Sequence, residues 1–175
     1  MRWVALLRAV NLGARNKVPM AELRALLEEA GYGNVRTFIA SGNVLLDAPP
    51  GAAGLAAGLE QLVADSFGVS TTAILRKPRD LAATVERHPF GADTSRTHVA
   101  FLARRPSEAA AARLAAVDGG ADRAVLSAAD VYLRLSHGVH GSRLSIARIE
   151  SLLDVPATVR NWRTVATLAE LAAEA

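Results

Sequence analysis

The fold of this 175-residue chain is decided by the stretch Val35-Arg36-Thr37-Phe38-Ile39-Ala40-Ser41-Gly42-Asn43-Val44-Leu45-Leu46. Its two ends have the composition of β-strands, and the four residues Ala40-Ser41-Gly42-Asn43 between them have the composition of a hairpin turn. A helix is predicted on each side of the hairpin. Before it, the segment from Pro19 to Gly31 begins with a favourable proline, repeats apolar residues at helical spacing and stops at a glycine. After it, apolar residues from Leu55 to Phe67 share one helical face, and Gly68 is predicted to cap that helix.

A further strand is predicted beyond each of these helices. Apolar residues run continuously from Trp3 to Leu7, which suits a strand covered on both faces. Thr72 to Leu75 has the pattern of another strand, and Pro49-Pro50-Gly51 is predicted to be a linker. The first half therefore runs β-α-β-β-α-β, which is the ferredoxin-like arrangement.

The second half repeats most of this order. A connecting helix from Pro78 to Arg87 is expected to end at His88-Pro89, because proline disfavours helical geometry in the residue before it. The elements predicted after it are a strand over His98–Leu102, a helix capped by Ser107 and ended by Gly119-Gly120, strands over Ala124–Leu126 and Val131–Leu135, a helix from about Arg143 to Leu153, and a final helix from Thr164.

The expected fold class is therefore α+β, a duplicated ferredoxin-like (βαββαβ) two-layer sandwich. Its first half covers residues 1–77, a connecting helix and loop cover 78–97, and the second half with a C-terminal helix covers 98–175. The order of elements repeats, whereas the residues of the two halves do not visibly match.

Composition narrows the classes of protein. The chain has no cysteine, which excludes disulfides, thiolate metal sites and a cysteine nucleophile. Its 20 basic residues face 17 acidic ones, so the net charge is only +3 and the high pI reflects arginine content more than a polyanion-binding surface. No apolar stretch approaches the roughly 18 residues of a membrane-spanning helix, so we expect a cytoplasmic protein with no membrane partner.

Several motifs together resemble one bacterial family. They are Ala5-Leu6-Leu7-Arg8-Ala9-Val10-Asn11-Leu12-Gly13, Asn16-Lys17-Val18-Pro19-Met20, Ser41-Gly42-Asn43-Val44, Pro89-Phe90 and Arg160-Asn161-Trp162-Arg163-Thr164. The set is similar to the family of uncharacterised proteins known as domain of unknown function 1697, and the similarity covers nearly the whole chain. The resemblance implies a compact α+β protein with a duplicated ferredoxin-like organisation, and it brings no catalytic residues.

The loop between the first strand and the first helix is the best candidate site. It carries polar and basic side chains: Arg8, Asn11, Arg15 and Lys17. A loop that precedes a helix can bind an anion through main-chain N–H groups and the helix dipole. The alternative is a structural loop whose asparagines satisfy turn hydrogen bonds and whose basic residues are solvated.

Two other stretches could contribute to a site. Ser41 and Asn43 would lie near the loop if the first strand pairs beside the hairpin, although both are ordinary turn residues. In the second half, Arg160, Asn161 and Trp162 combine a flat aromatic ring with polar groups that could stack on a base and hold a phosphate. The structural alternative is that Trp162 fills the core and that Thr164 caps a helix.

The remaining polar residues do not suggest catalysis or a cofactor. His137 and His140 lie close together, but no further ligand completes a metal site, so we expect no metal. Neither the Gly-x-Gly-x-x-Gly nor the P-loop spacing is present, and we expect no cofactor. The hypothesis is a non-catalytic or weakly catalytic protein that binds a phosphorylated or otherwise anionic small molecule. Nucleic-acid binding and an enzyme of unassigned chemistry are the alternatives, and the oligomeric state is left open.

Overall fold

The computed structural model of the protein describes residues 1–49, 54–139 and 141–174. Pro50 and Gly51 of the predicted linker and His140 of the histidine pair lie outside these residues. The elements are β1 (Arg2–Leu7), α1 (Met20–Glu29), β2 (Gly33–Phe38), β3 (Asn43–Asp47), α2 (Leu55–Phe67), β4 (Ala73–Arg76), α3 (Pro78–Glu86), β5 (Thr97–Leu102), α4 (Glu108–Ala115), β6 (Arg123–Ser127), β7 (Asp130–Arg134), α5 (Ile146–Leu153), β8 (Ala157–Asn161) and α6 (Trp162–Ala173).

The chain divides into two compact units. The first contains the described residues of Met1–Leu81 together with the segment that starts at Glu170, and the second contains those of Ala82–Ala169. Each unit holds one antiparallel four-stranded sheet, with strand order β2-β3-β1-β4 in the first and β6-β7-β5-β8 in the second. The order of strands is the same in both, and the prediction of a duplicated ferredoxin-like α+β fold is confirmed.

The eighth strand was absent from the sequence prediction. β8 pairs with β5 along its whole length, from His98 opposite Asn161 to Leu102 opposite Ala157. Its Thr158 and Arg160 are both buried, so a face that the sequence marks as polar lies inside the protein. Because the run is short and one of its faces is polar, its pattern did not indicate a strand.

The predicted helix caps are partly confirmed. The Ser107 hydroxyl accepts a hydrogen bond of 3.2 Å from the main-chain N–H of Ala110 at the start of α4, and Gly68 ends α2 in the left-handed conformation. At the start of α6, the side-chain oxygen of Asn161 accepts from the N–H of Thr164 at 2.8 Å. Asn161 therefore caps this helix, and the prediction of Thr164 as the cap was wrong.

Other helix boundaries also differ from the predicted ones. α4 ends at Ala115 and not at the glycine pair, because Ala116 closes its last turn. α5 begins at Ile146, after the Ser145 hydroxyl has accepted from a main-chain N–H of the first turn. Pro19 precedes α1 as its N-cap in extended geometry, where its missing N–H costs no helical hydrogen bond.

The core of each unit lies between one face of the sheet and its helices. In the first unit, alternate residues of the central strands contribute to it, among them Ala5, Leu7, Val44, Leu46 and Ala73. The corresponding residues of the second unit are Ala100, Leu102, Val131, Leu133 and Ala157. The opposite face of each sheet is also buried, since Val4, Leu6, Val99, Phe101 and Tyr132 have no exposed area.

Two buried arginines occupy the same position in the two sheets. Arg76 in β4 lies opposite Val4 of β1, and Arg160 in β8 lies opposite Val99 of β5. Each guanidinium donates to the main-chain carbonyl of the residue just before it, at 3.0 Å and 2.9 Å. Burial lowers the pKa of Arg160 to about 10, so its side chain stays charged at neutral pH.

Two glutamates repeat in the same way. Glu60 of α2 accepts a hydrogen bond from the main-chain N–H of Ala73 at 2.8 Å, and Glu150 of α5 accepts one from that of Ala157 at 2.7 Å. In each unit, the glutamate accepts its hydrogen bond from the first residue of the last strand. The duplication therefore extends to individual polar contacts, which the sequence comparison of the two halves did not detect.

None of the helices in the described residues combines the length and the apolar character needed to cross a membrane. The cytoplasmic location stays a prediction.

Candidate functional site

Asn11 organises the loop that follows β1. Its side-chain N–H groups donate to the carbonyl oxygens of Val18 at 2.9 Å and Ala40 at 2.7 Å, and its side-chain oxygen accepts from the N–H of Val18 at 2.9 Å. Its main-chain N–H donates to Asn16 at 2.8 Å. The backbone of Asn11 is left-handed, with φ of 53°, which asparagine tolerates better than most residues. Asn11 thus joins the loop, the entry to α1 and the hairpin.

The tip of the loop is closed by its own contacts. The side chain of Asn16 donates to the carbonyl oxygen of Ala9 at 2.8 Å, and the Lys17 ammonium donates to that of Gly13 at 2.6 Å. Arg15 donates through its main-chain N–H to Leu12 at 2.9 Å, while its side chain is exposed. The structural interpretation of the asparagines is therefore correct, and the two cations are left at the surface.

The hairpin turn lies against the end of β1. The main-chain N–H of Leu7 donates to the carbonyl oxygen of Gly42 at 2.8 Å. Gly42 has φ of +80°, and a Cβ there would lie 2.5 Å from Val10 and 2.9 Å from Leu7. The Asn43 side chain is fully buried and donates to Phe38 at 2.9 Å and to the Ser41 hydroxyl at 3.0 Å. Ser41 and Asn43 therefore hold the turn in shape.

An open cleft lies between this loop, the start of α1 and the β2 end of the hairpin. Its volume is about 480 Å³, within the range of small-molecule sites. The described residues that line it are Asn11, Lys17, Val18, Pro19, Met20, Thr37, Ile39 and Ala40. Lys17 is the one charged residue among them. The cleft is thus positive at one point and largely apolar elsewhere.

Ile39 has an unusual backbone in this cleft. Its φ is 51°, although a β-branched residue is strongly disfavoured in the left-handed region. Holding it there costs about 1–3 kcal/mol, and such strain concentrates at functional sites. Half of its side chain is nevertheless exposed, so burial of the isoleucine does not repay this cost.

The cleft contains only part of the predicted site. Of the six predicted first-half residues, it brings together Asn11 and Lys17, whereas Arg8, Arg15, Ser41 and Asn43 do not line it. The main chain of Arg8 joins β1 to the residues before β4, through hydrogen bonds with Thr71 and Thr72.

Sequence reasoning missed the apolar lining of the cleft and Thr37. Val18, Pro19 and Met20 belong to the family-like motif 16–20, which was the available signal for them. Ile39 was assigned to a strand, and nothing local in the sequence indicates its left-handed geometry.

The second-half residues have other roles. The Arg160 guanidinium is buried and donates to the Thr158 hydroxyl at 2.7 Å, and Asn161 caps α6. The Trp162 ring lies 4.3 Å from the His88 ring, centroid to centroid. Nucleic-acid binding stays an untested alternative.

His88 lies at the centre of an aromatic cluster. Its ring makes edge contacts with Phe90 and Tyr132 in addition to Trp162, and Nε2 lies 3.2 Å from the Thr97 hydroxyl. Burial lowers the pKa of His88. A neutral ring is therefore favoured at this position, where the connecting helix was expected to end.

A neighbouring polar group in the same unit is fully enclosed. The Thr84 hydroxyl donates to the Asp130 carboxylate at 2.7 Å, and the Tyr132 hydroxyl donates to the main-chain carbonyl of Thr84 at 2.7 Å. Burial, with a smaller contribution from Asp130, raises the pKa of Tyr132 to about 12. These hydrogen bonds satisfy polar atoms that are buried in the second unit.

Two other cavities are weaker candidates. One of about 650 Å³ in the first unit is lined by Arg2, Glu28, Asn34, Val35, Arg36 and Glu174, so its charges balance, and Arg36 is paired with Glu174 at 2.9 Å. One of about 370 Å³ in the second unit, which includes Pro89, Phe90, Asp122 and Arg123, contains none of the predicted site residues. Within the described part of the chain, no group of three or more His, Asp or Glu side chains could hold a metal.

Comparison with known proteins places the chain in a family. It is similar in structure to the conserved bacterial protein SP0830 from Streptococcus pneumoniae, with a TM-score of 0.74 and 24% sequence identity over 98% of this chain and 97% of that one. This likeness shows the fold. No curated protein matches the chain. Residues 1–132 match the model of the family described as "Protein of unknown function (DUF1697)", and the chain therefore belongs to the DUF1697 family.

Proposed function

We propose that this protein binds an anionic small molecule in the cleft between the 8–17 loop, the start of α1 and the hairpin. The observation that carries the proposal is the position of Lys17, which is the one charged residue among the described residues that line a cleft of about 480 Å³. No described carboxylate shares that lining, so an anion in the cleft is attracted by Lys17 and contacts no carboxylate.

The donors available in the cleft suit an oxyanion. The Lys17 ammonium has three hydrogens, of which one is directed at Gly13 and two are left for a ligand. The first main-chain N–H groups of α1, from Met20 onward, have no carbonyl partner within the helix, and the helix dipole favours negative charge at this end.

The walls of the cleft are held before any ligand arrives. Asn11 fixes the loop to both Val18 and Ala40, and Gly42 fixes the hairpin against Leu7. A site that needs no reordering binds more tightly for the same contacts. Its described lining also lacks a carboxyl, imidazole or thiol group for acid–base or nucleophilic chemistry, which favours binding over catalysis.

Isothermal titration at low salt against a panel of nucleotides, sugar phosphates and inorganic phosphate tests the proposal. We expect at least one member to bind, and Lys17→Ala to weaken that binding tenfold or more. Arg15→Ala is the matched control, because Arg15 is an exposed cation of the same loop that does not line the cleft. The proposal would be refuted if no member of the panel binds, or if Lys17→Ala leaves the affinity unchanged.

A further inference from the structure

We infer that the ligand is an amphiphilic anion, with one carboxylate or phosphate group on a compact apolar body. This inference rests on the proposed function and specifies the chemical class of its ligand. It follows from how charge, hydrogen-bonding groups and apolar surface are distributed in the cleft.

Most of the cleft wall is apolar. Val18, Pro19, Met20, Ile39 and Ala40 make up five of its eight described lining residues. Ile39 is 50% exposed there, and Met20 is partly exposed. Apolar surface of this kind gains free energy when a nonpolar group displaces water from it.

The polar groups of the cleft are few and mostly occupied. Asn11 uses both side-chain donor hydrogens and its side-chain oxygen on main-chain groups, so it has little to offer a ligand. Thr37 contributes a single hydroxyl. Lys17 and the first main-chain N–H groups of α1 are therefore left as the polar contacts for the anionic group of a bound molecule.

One cation sets the charge that the cleft can neutralise. Arg8 and Arg15 belong to the same loop but do not line the cleft, so neither adds a second positive charge to its described lining. A triphosphate brings several negative charges and no apolar surface. Such a ligand would lose hydration without finding matching partners. A single anionic group on a nonpolar body fits both the charge and the wall.

Titration of the full chain with inorganic phosphate, inorganic triphosphate and phenyl phosphate tests this inference. We expect phenyl phosphate to bind at least tenfold more tightly than either inorganic ion. Ile39→Gly is the informative variant, because glycine accepts the left-handed backbone and removes a side chain that is half exposed in the cleft. It should weaken the binding of phenyl phosphate about tenfold and that of inorganic phosphate by clearly less, whereas Lys17→Ala should weaken the binding of both.

The outcomes separate the two proposals. Equal affinities for phosphate and phenyl phosphate that both depend on Lys17 would overturn the amphiphilic ligand and leave the anion site standing. If triphosphate binds most tightly, the amphiphilic ligand is likewise overturned and the anion site is left standing. The amphiphilic ligand would also be overturned if the Ile39→Gly variant is folded, as judged by thermal melting, and binds phenyl phosphate as tightly as the unmodified protein does. Failure of every probe to bind the unmodified protein would count against the proposed function itself.

Discussion

The side-chain amide of Asn11 donates a hydrogen bond of 2.7 Å to the main-chain carbonyl of Ala40, 29 residues further along the chain. The same amide group also donates to the carbonyl oxygen of Val18 and accepts from the main-chain N–H of Val18. One side chain thereby sets the spacing between the loop, the entry to α1 and the hairpin, which are the three walls of the cleft.

Asn11→Ala is expected to destabilise the protein by about 2 kcal/mol, since it removes three hydrogen bonds and leaves main-chain groups without partners. It should also weaken the binding of any ligand in the cleft, because the hydrogen bonds that fix the cleft walls relative to one another are lost. Urea denaturation measures the stability change. Arg15→Ala, at an exposed position in the same loop, should change stability by less than about 0.5 kcal/mol. Equal effects of the two substitutions would contradict the role assigned to Asn11.

Gly42→Ala is expected to be far more damaging than Gly31→Ala. Both glycines have positive φ, +80° and +88°, so alanine costs about 1–2 kcal/mol of backbone energy at each. Only at Gly42 would the added Cβ collide, at 2.5 Å from Val10, whereas Gly31 has open space. Overpacking adds roughly 1–3 kcal/mol. Thermal melting of both variants isolates the packing cost as their difference, and similar melting temperatures would show that the hairpin can move away from β1.

Glu60→Ala and Glu150→Ala are expected to destabilise the protein by similar amounts, about 1.5–3 kcal/mol each. Each substitution removes the charged acceptor for the first N–H of the last strand in its unit, at Ala73 or Ala157. Glu→Gln at either position retains an oxygen acceptor and should cost less. Glu29→Ala, at an exposed residue of α1, is the control. A large effect at one glutamate and none at the other would show that the repeated contact is not equivalent in the two units.

Stability should fall as the solution is acidified below about pH 6.5. Burial lowers the pKa values of His88 and His98 below 6.5 in the folded chain, so the unfolded chain binds these protons more readily. The stabilisation is complete above the unfolded pKa and is lost as the pH falls toward the folded one. Urea midpoints at pH 7.5, 6.5 and 5.5 measure the trend.

The histidines can be tested separately in that pH series. His88→Gln and His98→Gln should each make stability less dependent on pH, and the double variant should do so most. If the double variant keeps the full decline between pH 7.5 and 5.5, the carboxylates and not these histidines are responsible for it.

Local patterns were sufficient for most of the fold. The hairpin, the helices at its two ends and Gly68 as a cap depend on periodicity and turn chemistry within a few residues, and the structure has each of them. β8 could not be found in that way, because its polar face is buried and only pairing with β5 makes it a strand.

The sequence by itself determined the βαββαβ order of the first unit, most of the same order in the second unit, and a polar loop before α1, since these are encoded in short-range patterns of apolar, turn and basic residues. The tertiary structure decided which of those polar residues share a cleft. Asn11, Lys17 and Ile39 meet because strand pairing and the contact of Gly42 with β1 bring distant segments together. The same contacts hold Ile39 in a left-handed backbone that its own side chain disfavours, and no local pattern encodes such an interaction between distant residues.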